Sequence, residues 1–224
     1  MDSSLNVLEV DSVILSFGQR KVLTDVYLKC EIGDIVGLVG RNGSGKSSLL
    51  KIIFGTLQGD HQSVRLNGVY TRQSFRVPGT VHYLPQNGFA MDYLTFHDLV
   101  NIFKLSAYLD RIQAVEEVHK HAHQKLGSLS GGVRKLMEII TVLYTPGLFA
   151  LLDEPFSYLS PVLVEKIIPH IYDQAQTKGI ILTDHQYENV LSVSSRAYVI
   201  VNGVLKPVEN PSDLEKYGYV TSYP

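Results

Sequence analysis

The stretch Gly40 to Ser48, Gly-Arg-Asn-Gly-Ser-Gly-Lys-Ser-Ser, constrains this chain more tightly than any other. It fits the pattern G-x-x-x-x-G-K-[ST]. An apolar run, Ile35 to Val39, precedes it and a helix-like run, Ser48 to Phe54, follows it, which is the strand, loop and helix setting a phosphate-gripping loop requires. Gly40, Gly43 and Gly45 let the backbone wrap closely around anionic oxygens. Successive N–H groups and the helix N-terminus then point at the phosphates, with Asn42, Ser44 and Ser48 in the same cradle. Lys46 is placed to reach the β- and γ-phosphates, and the Ser47 hydroxyl to take a Mg²⁺ coordination position. The loop alone names neither the nucleotide nor the use of its energy.

The rest of the composition narrows the class. A chain of 224 residues, 45% hydrophobic and 19% charged, is long enough for one large globular domain or one domain with a small appendage. A formal charge of -2 supplies no broad basic field, so no nucleic-acid partner is expected. The single cysteine, Cys30, excludes an internal disulfide and a cysteine-rich zinc site, fits a reduced, cytoplasmic setting, and reads as a small buried hydrophobe. Met1 to Leu5 carry acid and serine where a signal peptide would carry a basic flank and an apolar block, and no apolar stretch approaches ~18 residues. Action at a membrane would therefore run through a partner.

Taken in order, Leu5 to Phe17 nearly alternate between apolar and polar residues, as one or two half-buried strands. Gly18 to Lys21 turn the chain, and Val22 to Ile32 form a second extended stretch. Phe17, ahead of the strand that leads to the loop, reads either as a stacking platform for a purine base or as a core aromatic. Val64 to Val69 contain Asn67-Gly68, a hairpin signal. Val81 to Leu84 form a short strand ending at Pro85-Gln86, and Thr95 to Phe103 follow the helical period. His119 and His123 would share one helix face at a spacing compatible with a metal, but no carboxylate or cysteine framework surrounds them and a solvated helix accounts for both. Val162 to Gln176 are helical in period, with Pro169 expected to kink or interrupt them. Gly179 to Thr183 read as a buried strand closing on Asp184-His185. Ala197 to Lys206 read as a hairpin turning at Asn202-Gly203, and Ser212 as the N-cap of Asp213 to Tyr217.

Two further stretches carry chemistry. Leu129-Ser130-Gly131-Gly132 precedes a helical run, Val133 to Tyr144, and a glycine-opened helix N-terminus is a second phosphate site. Phe149 to Leu152 make a buried parallel-type strand, with Asp153 and Glu154 emerging at its C-terminal end, where ligands sit in open α/β sheets. Asp153 is placed to hold Mg²⁺ through water and Glu154 to polarise an attacking water; the alternative is a pair that merely caps the next helix.

In this order the residues resemble the ATP-binding cassette family, the ATPase subunits of ABC transporters, over essentially the whole chain. Phe17 matches the aromatic A-loop residue, Gly40 to Ser47 the Walker A motif and Gln86 the Q-loop. Leu129 to Gly132 match the signature motif, which most P-loop enzymes lack. Leu151 to Glu154 match Walker B, Ser157 to Pro161 the D-loop and His185 the H-loop. The resemblance implies an α/β, RecA-like P-loop core with an antiparallel β-subdomain, about 1–86 and 146–224, and an inserted helical subdomain, about 87–145. It implies ATP and Mg²⁺ as ligands. Glu154 would be the general base, His185 a contact to the γ-phosphate, and Gln86 a contact to Mg²⁺ and water. Ser130, Gly131 and Gly132 would act on the nucleotide of a second cassette, in a homodimer or in a heterodimer with another ABC ATPase. The helical lobe would dock on a transmembrane transporter subunit, so the chain would sit at the inner face of the cell membrane.

Three positions depart from the family pattern: Val133 stands where glutamine is commonest, Ser160 replaces the D-loop aspartate, and Phe17 stands where tyrosine is more usual. A narrower likeness joins Asp153 to Phe156, Leu182 to His185 and Ser195 to Val199 to cassettes for lipopolysaccharide export and branched-chain amino-acid uptake, although the stretch from Gln86 to Leu129 is shorter than in those. Two other classes compete with a transporter ATPase. One is a soluble ABC protein acting on ribosomes or DNA, whose usual paired cassettes, coiled-coil insertion or basic extensions are not seen here. The other is a regulatory cassette that binds ATP without hydrolysing it.

Overall fold

The computed structural model describes residues 6–219, so the expectations placed on Met1 to Leu5 lie outside the described residues. β1 (Val7–Phe17) is a single strand with a bulge around Ser12, whose φ is 53°. It turns at Gly18 and pairs antiparallel with β2 (Arg20–Glu31). Alternation along both strands puts Leu8, Val10, Leu15, Leu23, Val26 and Leu28 into one core. Cys30 belongs to the same core, and burial pushes its thiol far above the usual range, so it packs as a small hydrophobe.

The chain then forms β3 (Ile35–Val39), α1 (Lys46–Phe54), β4 (His61–Leu66) and β5 (Val69–Tyr70). Asn67 and Gly68, at φ 52° and 77°, give the left-handed pair that a two-residue hairpin between β4 and β5 requires. The resulting antiparallel sheet has the order β2-β1-β4-β5.

β6 (Val81–Leu84) leads into a helical stretch of α2 (Phe96–Ile102), α3 (Leu109–Gln113), α4 (Glu116–His121) and α5 (Gly131–Tyr144). β7 (Phe149–Asp153), α6 (Pro161–Ala175), β8 (Gly179–Thr183), α7 (Tyr187–Val193), β9 (Arg196–Val201), β10 (Val204–Val208) and α8 (Pro211–Lys216) complete the described chain. The second sheet has the order β10-β9-β3-β8-β7-β6 and is parallel except for the β9–β10 hairpin. Its central strands are apolar on both faces because both are covered. Ile35, Val39, Ala150, Leu152, Ile180 and Leu182 pack on the side of α5 and α6. Val36, Leu38, Leu151 and Ile181 pack with α1 and the antiparallel sheet. Among the described residues no helix is long and apolar enough to cross a membrane.

Three local expectations change. α6 runs unbroken through Pro169. Pro169 and Glu165 both lie on the exposed face, so the carbonyl that the proline cannot serve is open to water. α4 stops at His121, so His119 and His123 do not share a helix face; the His123 ring instead sits edge-on to His97, with centroids 5.4 Å apart. Asn210, not Ser212, caps α8: Pro211 fixes the first turn, and the Asp213 carboxylate accepts from the Asn210 backbone N–H at 3.1 Å.

Lys178 is buried at the end of α5, donating to the carbonyls of Leu143 and Thr145. Burial pushes its pKa down to about 8 from 10.5. Between those values the unfolded chain holds a proton that the folded chain has released, so this residue's contribution to stability rises with pH across that window. Wild type should therefore gain on Lys178→Met by on the order of 3 kcal/mol between pH 7 and pH 10. Urea unfolding of both proteins at several pH values measures it; a difference independent of pH would exclude a titrating ammonium.

Candidate nucleotide site

Parallel strands place their C-terminal ends on one edge of the sheet, and the loops after β3, β6, β7 and β8 converge there. The register is close: Leu84 lies opposite Leu152, and Asp153 opposite Thr183. A cleft of about 760 Å³ opens between these loops and the β1–β2 turn.

The loop after β3 forms one wall. Gly43 and Gly45 have φ of 76° and 108°. A Cβ on Gly45 would lie 2.8 Å from Leu23 and 2.9 Å from Val22, so only glycine fits this turn against the antiparallel sheet. The N-terminus of α1 opens onto the cleft, and the Ser44 hydroxyl is buried with no partner. That orphaned donor in a cradle of backbone N–H groups fits a bound phosphate. Lys46 is buried, and its ammonium donates to the Gly40 carbonyl at 2.6 Å. Burial lowers its pKa, while Glu154, Asp153 and Asp184 act in the opposite direction.

Asp153 sits beneath the cleft, held by three hydroxyls. Ser47 and Thr183 donate to one carboxylate oxygen, each at 2.9 Å, and Tyr83 donates to the other at 2.9 Å. Burial, reinforced by the Asp153 charge, pushes the Tyr83 phenol well up, so it remains a donor. The serine hydroxyl and carboxylate are hard oxygen donors of the kind Mg²⁺ takes; Ser47 lines the cleft, and Asp153 lies buried directly behind it.

Glu154 follows with φ 50°, a strained backbone for a non-glycine residue. Its N–H donates to the Thr183 carbonyl at 2.9 Å, which turns the side chain up into the cleft. There one carboxylate oxygen accepts from Gln86 Nε2 at 2.9 Å and Ser157 Oγ at 3.1 Å, and His185 Nδ1 lies 3.6 Å away. The fully buried Asp184 carboxylate accepts the N–H groups of Phe156, His185 and Gln186, pinning the loops after β7 and β8 together. Burial nevertheless raises its pKa.

The cleft thus brings together Phe17, Asn42, Gly43, Ser44, Gly45, Lys46, Ser47, Ser48, Gln86, Glu154 and His185. Phe17 is 56% exposed on the rim, so the core-aromatic alternative is excluded. The pair Asp153-Glu154 faces the site and caps no helix: Ser160 is the N-cap of α6. Ser130, Gly131 and Gly132 do not line the cleft. They start α5 at the surface, with Ser130 and Gly131 exposed, and Gly132 backs onto the Tyr158 carbonyl, 3.0 Å from where its Cβ would be.

The departures from the pattern have local explanations. Val133 packs partly buried against the core, and Ser160 caps α6 by accepting from Leu163 N–H at 3.4 Å. Sequence reasoning placed Ser157 in the D-loop without its bond to Glu154, and missed Tyr83, Thr183 and Arg20, whose guanidinium donates to the Gly43 carbonyl at 3.2 Å. Strand register would have found Thr183, directly across from Asp153; nothing local points to the others.

Comparison with known proteins places this arrangement. The family model described as ABC transporter matches residues 23–157. The lipopolysaccharide export system ATP-binding protein LptB of Haemophilus influenzae is 29% identical, covering 94% of this chain and 93% of that protein. Its namesake in Escherichia coli is 30% identical, covering 92% of each. Among solved structures, an ATP-binding subunit of an ABC transporter superposes with a TM-score of 0.78 at 20% identity, covering 96% of this chain and 95% of the other. A bacterial Atm1-family ABC exporter with ATP bound gives 0.81 at 16% identity, covering 96% of this chain and 41% of the exporter. With a family model spanning more than half its length and a relative matched nearly end to end, this chain belongs to the ABC transporter family as an ATP-binding cassette.

Proposed function

We propose that this cassette hydrolyses ATP at the cleft between β3 and β7 when a second cassette closes over it, and that closure and release drive a separate transmembrane subunit. The observation that carries the reading is the meeting of Lys46, Ser47, Gln86, Asp153, Glu154 and His185, from four strand ends, around one space. The chain carries both the phosphate loop and the exposed Ser130 to Gly132 turn, so two copies related by a two-fold axis supply two complete sites. We assign the helical lobe to about residues 87–145 and the docking of the transmembrane partner to it. The cassette itself then lies at the inner face of the membrane. The relatives' names make export the first kind of system to test.

In this reading Phe17 stacks on the base, and the loop N–H groups and Lys46 hold the triphosphate. Ser47 and Asp153 would hold Mg²⁺, with Gln86 near them; bound there, the ion neutralises charge on the phosphate oxygens. Glu154 takes the proton of the attacking water. Gln86 and Ser157 fix the oxygen that already accepts from both, leaving the other free for that proton. His185 adds a donor at the γ-phosphate. Ser130 and the glycines, arriving from the second copy, complete a pocket that excludes water only on closure.

Isolation of the complex in mild detergent, identification of its integral subunit and assay of its ATPase test the proposal. No membrane subunit, or turnover stimulated by RNA or DNA, would favour the soluble class. A finer expectation concerns Tyr83→Phe, which leaves Asp153 only two of its three donors. The Mg²⁺ concentration for half-maximal turnover should rise about tenfold, as for other outer-shell losses at a metal carboxylate. An unchanged Mg²⁺ titration would remove Tyr83 from the site.

A further inference from the structure

α5 carries two buried charges that the proposed chemistry does not use. Lys135 and Glu138 are 4% and 2% exposed, on the first two turns of the helix that begins at Gly131. Burying an ammonium and a carboxylate is expensive unless each is well partnered, and here nearly all partners are backbone groups of one loop. Lys135 Nζ donates to the Gln86 carbonyl at 2.9 Å and to the Pro85 carbonyl at 3.4 Å. One Glu138 oxygen accepts from the N–H groups of Phe89 and Ala90, at 3.3 and 3.1 Å. Gly88 turns over that carboxylate at φ 77°, where a Cβ would fall 2.2 Å from an oxygen. Arg134 adds a tie to the Ala90 carbonyl and the Asp92 carboxylate, and lies 3.5 Å from Glu138.

The loop after β6 is therefore fastened to α5 on both sides of its turn. Gln86, whose own carbonyl Lys135 grips, is the residue whose amide meets Glu154. The Ser130 to Gly132 turn opens the same end of α5, with Ser130 and Gly131 exposed. We propose that Lys135 and Glu138 are positioning residues that fasten the loop after β6 to α5 and so hold the Gln86 amide against Glu154. The inference rests on the ATPase reading above and adds which residues hold Gln86 in place beside Glu154. Lys135 acts through Gln86 and touches no reacting atom.

A double-mutant cycle tests it, with turnover and ATP affinity measured separately. Lys135→Met should lower kcat about tenfold, with ATP Kd held within about twofold, because the loss is one of placement and not of binding. In a Gln86→Ala background the same substitution should cost nothing further, and Lys135→Arg should recover most of the rate. Should Lys135→Met fail to fold, Glu138→Gln, which keeps an acceptor for the loop but loses its charge, carries the same cycle. Equal losses in both backgrounds, or wild-type kcat in Lys135→Met, would overturn the proposal while wild-type hydrolysis continued. Absence of hydrolysis in the wild-type complex would instead overturn the ATPase reading beneath it.

Discussion

Glu154→Gln is expected to bind ATP as wild type does and to lose turnover by about 100-fold or more, the range that removal of a general base costs. The substitution keeps the shape of the side chain and an oxygen able to accept from Gln86 and Ser157, so the loop after β7 should hold its course. The Glu154 backbone, strained at φ 50°, is fixed by Thr183 through main-chain contacts that the change does not touch. With binding intact and hydrolysis gone, ATP should accumulate in a closed dimer. Phosphate release, nucleotide titration and sedimentation measure the three parts independently. Turnover equal to wild type would take the proton-accepting role from Glu154.

Lys46→Ala should act at the step before. Its ammonium is buried, bonded to the Gly40 carbonyl and aimed into the phosphate loop. A charge-assisted hydrogen bond of this kind contributes about 1.5–3 kcal/mol, so ATP Kd should weaken roughly 10–100-fold. The fold should survive, since Gly45 packed against Leu23 and Val22 still sets the turn of the loop when the lysine's bonds are lost. ATP should accordingly raise the melting temperature of wild type and leave that of the variant nearly unmoved at the same concentration. Tight ATP binding by the variant would mean that the phosphates sit elsewhere.

The phosphate loop, the buried strand before Asp153-Glu154 and the glycine-opened helix were legible in the sequence because each is local: a few adjacent residues specify both conformation and chemistry. The strand alternation of β1 and β2 was legible for the same reason. What lies across strands was not. Tyr83 and Thr183 meet Asp153 only because β6, β7 and β8 align in register, at separations of 70 and 30 residues. The fastening of the Gln86 loop by Lys135 and Glu138 spans 49 residues and involves main-chain partners, which leave no side-chain signature. Ser212 misled because serine is a good cap in general, whereas the Pro211 ring and the Asp213 carboxylate select Asn210. Pro169 misled because its cost depends on whether the freed carbonyl meets solvent, which sequence does not state.

The central claim is that the phosphate loop of one cassette is completed by the Ser130 to Gly132 turn of another. Two inactive variants test it when mixed. Lys46→Ala disables the first half. Gly131→Glu disables the second, placing a negative charge where the phosphates would meet the turn; a Cβ at Gly131 has nothing within 4 Å, so the isolated fold should tolerate it. Each protein alone should fail to hydrolyse ATP. Single-turnover hydrolysis by an equimolar mixture should recover to about a quarter of wild type, since half of the random two-fold dimers are mixed and each mixed dimer has one intact pair of halves. A mixture as inactive as its components would show that the two halves do not meet between copies of this chain.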